Sequence, residues 1–321
     1  MGGAASETTA DAPTEAPTQD ASTGLSGLSD EQVEKLIDTA RYPLGGRDAP
    51  PSDPGHATYW RAVRTARAGL RSDGCALLKE FVTAGAVRLL NDEIVATKPR
   101  THFSTQVINP YFHTDVDPDF DTDHPVNTFT ERSSGFIPGD AWPQVCAIDT
   151  LFRAPQMCQL LADCLEIDSL YCYDDPLAGL TANILDPGQQ FPWHFDTNDF
   201  AVTVLVQPAD EGGLFEFAPA VRSADDEGFE TLAALQRGVR DGVHTLDLEP
   251  GDLQMFRGRY SLHRVTRVSA TSQPRHAAIF AYTRQPGVIG RVERTRQLFG
   301  RVLPEHEEAE QSRVRDDDLL D

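Results

Sequence analysis

Apolar residues recur at three- and four-residue spacing through the first half of the chain and fall into short strand-like bursts through the second. Ser29-Asp30-Glu31-Gln32 is a capping box, and Val33, Leu36, Ile37 and Ala40 behind it predict a first helix. Tyr59, Val63, Ala66 and Leu70 predict a second; Val87, Leu90 and Ile94, behind Thr83 as cap, a third; Met157, Leu160, Leu161, Cys164 and Leu165 a fourth. Residues 42–56 are a Pro- and Gly-rich loop, and Asp73-Gly74 turns into a short strand at Cys75-Ala76-Leu77-Leu78. From Leu170 the period changes. Runs at 180–185, 191–195, 201–206, 214–217, 243–248, 252–256, 262–268 and 276–282 predict about eight strands, several rich in β-branched residues. Glu211-Gly212-Gly213 and Pro250-Gly251-Asp252 supply tight turns between them, because Gly enters the left-handed region and Pro presets φ. Many short strands with Gly and Pro turns predict a sandwich or barrel, with the helical half against one outer face.

Three segments lack either period. Residues 1–28 hold Ala, Thr, Ser, Gly, Pro and acids, with too little apolar surface to offset the entropy of ordering, and are expected to be disordered. Residues 99–140 are rich in Pro, Asp, His, Asn and Thr yet carry Phe103, Tyr111, Phe112, Phe120, Phe129 and Phe136, which predicts an ordered lid. Residues 305–321 read as an acidic, frayed tail, and 221–241 as an acidic excursion with a short helix; 291–301 predicts a closing helix. One domain over 29–304 follows, with a helical N-terminal part at 29–165 and a β core at about 167–285.

Composition narrows the function. A net charge of −22 opposes a nucleic-acid surface, which needs clustered Lys and Arg, and opposes attraction to anionic lipid. The expected partner is a small molecule. No apolar run is long enough to span a membrane and no secretory signal opens the chain. Cys75, Cys146, Cys158, Cys164 and Cys172 are odd in number and contain no C-x-x-C pair, so they read as reduced thiols in a cytoplasmic protein.

Candidate chemistry centres on Phe191-Pro192-Trp193-His194-Phe195-Asp196-Thr197-Asn198. In extended chain, residues i and i+2 share a face, so His194 and Asp196 can share an ion. A His-x-Asp alone is common by chance. His263, in a predicted strand further on, makes a set of two histidines and one carboxylate, which holds Fe(II) and leaves open positions. Zinc takes the same donors, and a non-enzymatic cupin-type barrel can hold a metal too. Arg275 separates these readings: a guanidinium twelve residues after His263, opening the last strand, suits the far carboxylate of a chelating dicarboxylate bidentately. A surface ion pair is the bland alternative for it. Trp193 flanks the pair and can shield it from water. His276 points away from Arg275 on the same strand, His244 has no partner two residues away, and Asp199 needs a bend to replace Asp196. His56, His102, His113, His124 and His306 fall in predicted loops or the tail.

Taken together, Pro192-Trp193-His194-Phe195-Asp196-Thr197-Asn198, Glu211-Gly212-Gly213, Pro250-Gly251-Asp252, Phe256-Arg257-Gly258, Ser261-Leu262-His263-Arg264-Val265-Thr266 and Arg275 resemble the non-haem Fe(II)/2-oxoglutarate-dependent oxygenases. Over roughly residues 100–290 the chain looks most like the subgroup of free-amino-acid radical halogenases and their hydroxylase relatives. The resemblance implies a mainly β protein with flanking helices around a double-stranded β-helix, a cupin-like jelly roll. It implies His194, Asp196 and His263 as iron ligands and catalytic centre, and Arg275 as the 2-oxoglutarate anchor, with O2 as cosubstrate and ascorbate as a candidate reductant. Two departures matter. The halogenases carry Gly where this chain has Asp196, which frees a position for chloride; the carboxylate implies oxygen transfer instead. The family's hydroxyl residue two places after the arginine is Ala277 here, which makes Thr203 and Asn183 the candidate helpers. Hydroxylation of an unactivated C–H bond of a small polar metabolite, such as a free amino acid, is the expected reaction; desaturation and ring closure use the same cofactors. Trp193, Arg132, His113 and Tyr111 are the candidate substrate contacts.

Overall fold

Two antiparallel sheets face one another, and the period-two pattern of their strands decides what lies between them. The computed structural model describes residues 30–198, 200–311 and 319–320. The tail at 1–28, Ser29 of the capping box and Asp199 lie outside the described residues.

The strands are β1 Cys75–Leu78, β2 His102–Ile108, β3 Thr130–Ile137, β4 Tyr171–Cys172, β5 Leu180–Leu185, β6 Phe191–His194, β7 Ala201–Gln207, β8 Phe215–Ala218, β9 His244–Thr245, β10 Leu253–Phe256, β11 Leu262–Val265, β12 Arg275–Phe280 and β13 Tyr282–Thr283. The helices are α1 Asp30–Glu34, α2 Pro54–Ser72, α3 Ala84–Thr97, α4 Ala147–Arg153, α5 Pro155–Leu165, α6 Phe229–Gln236, α7 Val292–Phe299 and α8 Pro304–Gln311. Seven strands form the major sheet in the order β1-β10-β7-β12-β5-β3-β2, and four form the minor sheet in the order β6-β11-β8-β9. From β5 to β12 the chain passes back and forth between the two layers, with β8 and β9 together in the minor sheet, as in the winding of a jelly roll.

Alternation sorts the major sheet. Ala182, Ile184, Val202, Val204, Val206, Leu253, Met255 and Ala278 point outward and join α2–α5 in one apolar core. That core contains Tyr59, Val63, Ala66 and Leu70 of α2, and Leu90 and Ile94 of α3. Asp53 caps α2 and Thr83 caps α3 through side-chain bonds to Gly55 N and Ala86 N. The alternate residues, among them Asn183, Thr203, Gln254, Arg275 and Ala277, face the minor sheet.

The structure departs from the sequence reading at four places. Besides the strand expected at Cys75–Leu78, the helical part at 29–165 supplies β2 and β3, and all three join the major sheet, which thus draws on both halves of the chain. Residues 99–140 are not one long loop: β2 and β3 pair from His102↔Phe136 to Ile108↔Thr130, and only the excursion between them is irregular. The first helix stops at Glu34, because Ile37 extends to bridge Val82 and Asp38 N bonds Phe81 O. The expected tail from 305 begins as α8, with His306 fully buried; its Nδ1 accepts from Leu303 N and its Nε2 bonds Asp175 Oδ2 at 3.0 Å. Among the described residues, no helix is long and apolar enough to cross a membrane.

Candidate active site

His194 ends β6 and His263 lies in β11, and the two are directly paired across the minor sheet. Paired residues share a face, so their rings stand 4.0 Å apart between centroids. Each ring is turned by its own backbone. His194 Nδ1 bonds the Pro192 carbonyl at 2.9 Å and His263 Nδ1 bonds the Ser261 carbonyl at 3.1 Å. A carbonyl only accepts, so both Nδ1 atoms carry the proton and both Nε2 atoms offer a lone pair inward. Asp196, just beyond β6, is held by its N–H to the Gly258 carbonyl at 3.0 Å. Its Oδ1 lies 3.8 Å from His194 Nε2 and 3.5 Å from His263 Nε2. One donor atom from each residue falls within 4.8 Å of the others, an arrangement that can hold a metal ion.

Electrostatics agree with a cation site. Burial, helped by neighbouring His263, drives the His194 imidazole well below its ordinary range, so it stays neutral and able to donate a lone pair. Burial opposes ionisation of Asp196, but the electrostatic pull of its surroundings, His263 first, outweighs it, and the carboxyl falls to about 2. Gly258 makes room for this carboxylate: a methyl group there would sit 2.6 Å from Asp196 Cγ.

The cluster opens on a cavity of about 620 Å³ between the sheets. Phe191 packs at a tilt against His194 at 4.4 Å and Phe256 meets His263 edge-on at 4.8 Å, so aromatic surface shields the donor set from water. Arg275 enters the same cavity from the start of β12. It is 6% exposed, and among the described residues no hydrogen bond or ion pair reaches its guanidinium. Desolvation alone lowers it to about 10, with no carboxylate acting on it. A buried guanidinium without a counter-charge is costly, and an anionic group entering the cavity would offset that cost. Ala277 cannot help it, but Asn183 stands directly opposite Ala277 across the strand pair and lines the cavity. Thr203 also lines it and donates to Gln254 Oε1 at 3.1 Å.

The four residues expected at substrate fall elsewhere: none of them lines the cavity. Trp193 neighbours His194 on a strand, so it faces outward, where the Arg264 guanidinium lies 4.5 Å over its ring. Tyr111 is buried against Phe195, in a cluster with Val126 and Leu232. His113 is half-buried beside it, its N–H on Asn109 Oδ1. Arg132 is fully buried and ties Ser104, Gln106 and the Gln297 carbonyl together, while its Nε and Nη1 find no partner. Gln254, Arg259, Arg284, Arg291 and Arg294 do line the cavity and were not singled out from the sequence. Arg291 and Arg294 carried a readable signal, since three residues apart at the start of a helix puts them on one face.

Residues 132–288, just under half of the chain, match the family model described as Halogenase D. No curated protein matches the chain. Among solved structures, it is similar to a 2OG-Fe(II) oxygenase family oxidoreductase from Burkholderia pseudomallei, with 14% identity, 70% of this chain and 91% of that one covered, and a TM-score of 0.44. AviO1 from Streptomyces viridochromogenes Tue57 gives 14% identity, 71% and 95% coverage and a TM-score of 0.48. A prolyl-4-hydroxylase from Pseudomonas putida gives 14%, 68% and 96%, and 0.41. Likenesses this distant assign neither substrate nor reaction. The matched stretch contains the His–Asp–His cluster and Arg275, which meet in one cavity. Over residues 132–288 the chain is similar to the halogenase D family.

Proposed function

We propose that the protein hydroxylates an unactivated C–H bond of a small polar metabolite, such as a free amino acid. The observation that carries this reading is a buried Arg275, without a partner among the described residues, in the same cavity as two inward Nε2 atoms and a carboxylate. His194 Nε2, Asp196 Oδ1 and His263 Nε2 hold Fe(II). Arg275 would pair with the distal carboxylate of 2-oxoglutarate, and Asn183, opposite Ala277, and Thr203, opposite Ile279 further along β12, are its candidate helpers in the same cavity. Iron held there supplies the coupling of 2-oxoglutarate oxidation by O2, which releases succinate and CO2, to insertion of one oxygen atom into substrate. The protein's part is position and dryness: the Nδ1–carbonyl bonds fix the imidazoles, and Phe191 and Phe256 keep water from them. Halogenation needs a further coordination position, and Asp196 fills it. A buried cation at this place has no use in a purely structural barrel. Five free cysteines suit a reducing, cytoplasmic setting.

The test is product mass. Purified protein with Fe(II), ascorbate and 2-oxoglutarate, screened against amino acids and nucleosides, should form succinate in step with a product one oxygen heavier. Asp196→Gly in chloride should lose that product and give a chlorinated one. A chlorinated product from the unaltered chain would contradict the reading.

A further inference from the structure

Arg132 is a second buried guanidinium without a counter-charge among the described residues, and it lies outside the cavity wall. Arginine keeps its proton in any protein setting, so the charge has to be met where it sits. Desolvation alone lowers it to about 10, and no carboxylate among the described residues acts on it. Its hydrogen bonds all leave from one nitrogen: Nη2 donates to Ser104 Oγ at 2.5 Å, Gln106 Oε1 at 3.1 Å and the Gln297 carbonyl at 3.2 Å. These partners are neutral. Nε and Nη1 are buried and donate to nothing among the described residues. A third orphan atom stands close by. β2 and β3 pair Ser104 with Ser134 and Gln106 with Arg132, which puts all four side chains on one face, with paired Cβ atoms about 5 Å apart. Ser134 is thus next to the serine that takes Arg132 Nη2, and its fully buried hydroxyl has no partner either. Two guanidinium arms and a hydroxyl, all able to donate, share a buried stretch that gives them no acceptor.

We propose that Arg132 and Ser134 bind one small, singly charged inorganic anion of the size of chloride, inside the barrel behind Phe191. One guanidinium brings one positive charge, which one monovalent ion balances. Water accepts hydrogen bonds from the same donors but leaves the charge unmet. Neither residue lines the cavity, so a metabolite's acid group has no way to them, and the ion is taken up as the chain folds. Phe191 lies on one side, its ring centroid 5.6 Å from the guanidinium carbon, and the same ring packs against His194. The Gln297 carbonyl joins the guanidinium to α7. The ion therefore braces β2, β3 and α7 behind the donor set without touching it, and the inference stands apart from the oxygenase reading.

The experiment melts the full chain while sodium chloride replaces sodium gluconate at constant ionic strength. A chain of charge −22 repels anions from its surface, so a chloride dependence reports a local site. An ion held by the folded chain and released on unfolding should raise Tm by about 3 °C or more between about 1 and about 100 mM chloride, rising with the logarithm of concentration. Arg132→Met, close in volume and uncharged, should flatten that dependence, and Ser134→Ala should weaken it. Arg275→Met should keep it, which separates this site from the cavity. Crystals grown in sodium bromide give a reading that needs no variant to fold: an anomalous peak is expected beside Arg132 and Ser134. Equal melts in chloride and gluconate, a chloride dependence kept by Arg132→Met or abolished by Arg275→Met, or no bromide peak beside Arg132 would each overturn the proposal.

Discussion

At the residue scale, the site depends on side chains that are small or neutral as much as on those that donate. Gly258 leaves the volume that the Asp196 carboxylate occupies while its carbonyl accepts the Asp196 N–H. In Gly258→Ala the methyl group and carboxylate compete for that space. Iron affinity, measured by metal content after dialysis, should fall by about tenfold or more, the usual cost of disturbing a group that orients a ligand. Full retention of iron would mean that Asp196 has room to move. His276 is buried, with Nδ1 on Asn91 Oδ1 at 2.9 Å and Nε2 without a partner, and burial together with nearby Lys98 pushes it down to about 4. The unfolded imidazole takes its proton near 6.5. The folded chain is therefore fully stabilised above pH 6.5 and loses about 3 kcal/mol as pH falls from 6.5 to 4. His276→Gln keeps a hydrogen bond to Asn91 but cannot titrate. Thermal melts across that window should fall less steeply for the variant than for the unaltered chain; parallel slopes would contradict the assignment.

At the element scale, the closing helices are bolted to the barrel through one carboxylate. Asp175 is 3% exposed; its Oδ1 accepts from Leu177 and Ala178 N, and its Oδ2 accepts from Gly290 N and His306 Nε2. Asp175→Ala leaves these donors buried and unpaired, which costs about 3–5 kcal/mol and lowers Tm by roughly 5–9 °C. Because Gly290 and Arg294 line the cavity, the loss is expected to appear also as faster hydrogen exchange in α7 and α8. A melt within 1 °C of the unaltered chain would show that the bolt is not needed. These elements were unevenly legible in the sequence. β5, β7 and β10 announce themselves because they are apolar toward helices and mixed toward the cavity. β2 reads His-Phe-Ser-Thr-Gln-Val-Ile at the edge of the major sheet, with Phe103 and Val107 exposed, so no buried apolar period marks it. α8 is acidic along most of its length and hides a single buried contact, His306.

At the scale of the molecule, a −22 chain folds around a cavity whose wall is rich in arginine. The donor set was legible because His194 and Asp196 obey the two-residue period of extended chain. His263 was picked out as the third donor by its residue type and its predicted strand, but the β6–β11 pairing that brings it to His194 is a tertiary contact that no local pattern shows. The wall was not legible, because which loops and helices cover a barrel mouth is decided by tertiary packing rather than by local pattern. The excursion with Tyr111 and His113 lies under Phe195, and α7, far along the chain, brings its arginines to the cavity. The central claim is that His194, Asp196, His263 and Arg275 act together on one metal and one cosubstrate. The most direct measurement is anaerobic titration of Fe(II) and then 2-oxoglutarate into the unaltered protein, His263→Ala and Arg275→Ala. The unaltered chain should bind one iron and one 2-oxoglutarate, His263→Ala should lose iron, and Arg275→Ala should keep iron but weaken 2-oxoglutarate by about a hundredfold, on the order of 2–3 kcal/mol for a charge-assisted bidentate pair. Full iron binding by His263→Ala, or unchanged 2-oxoglutarate affinity in Arg275→Ala, would contradict it.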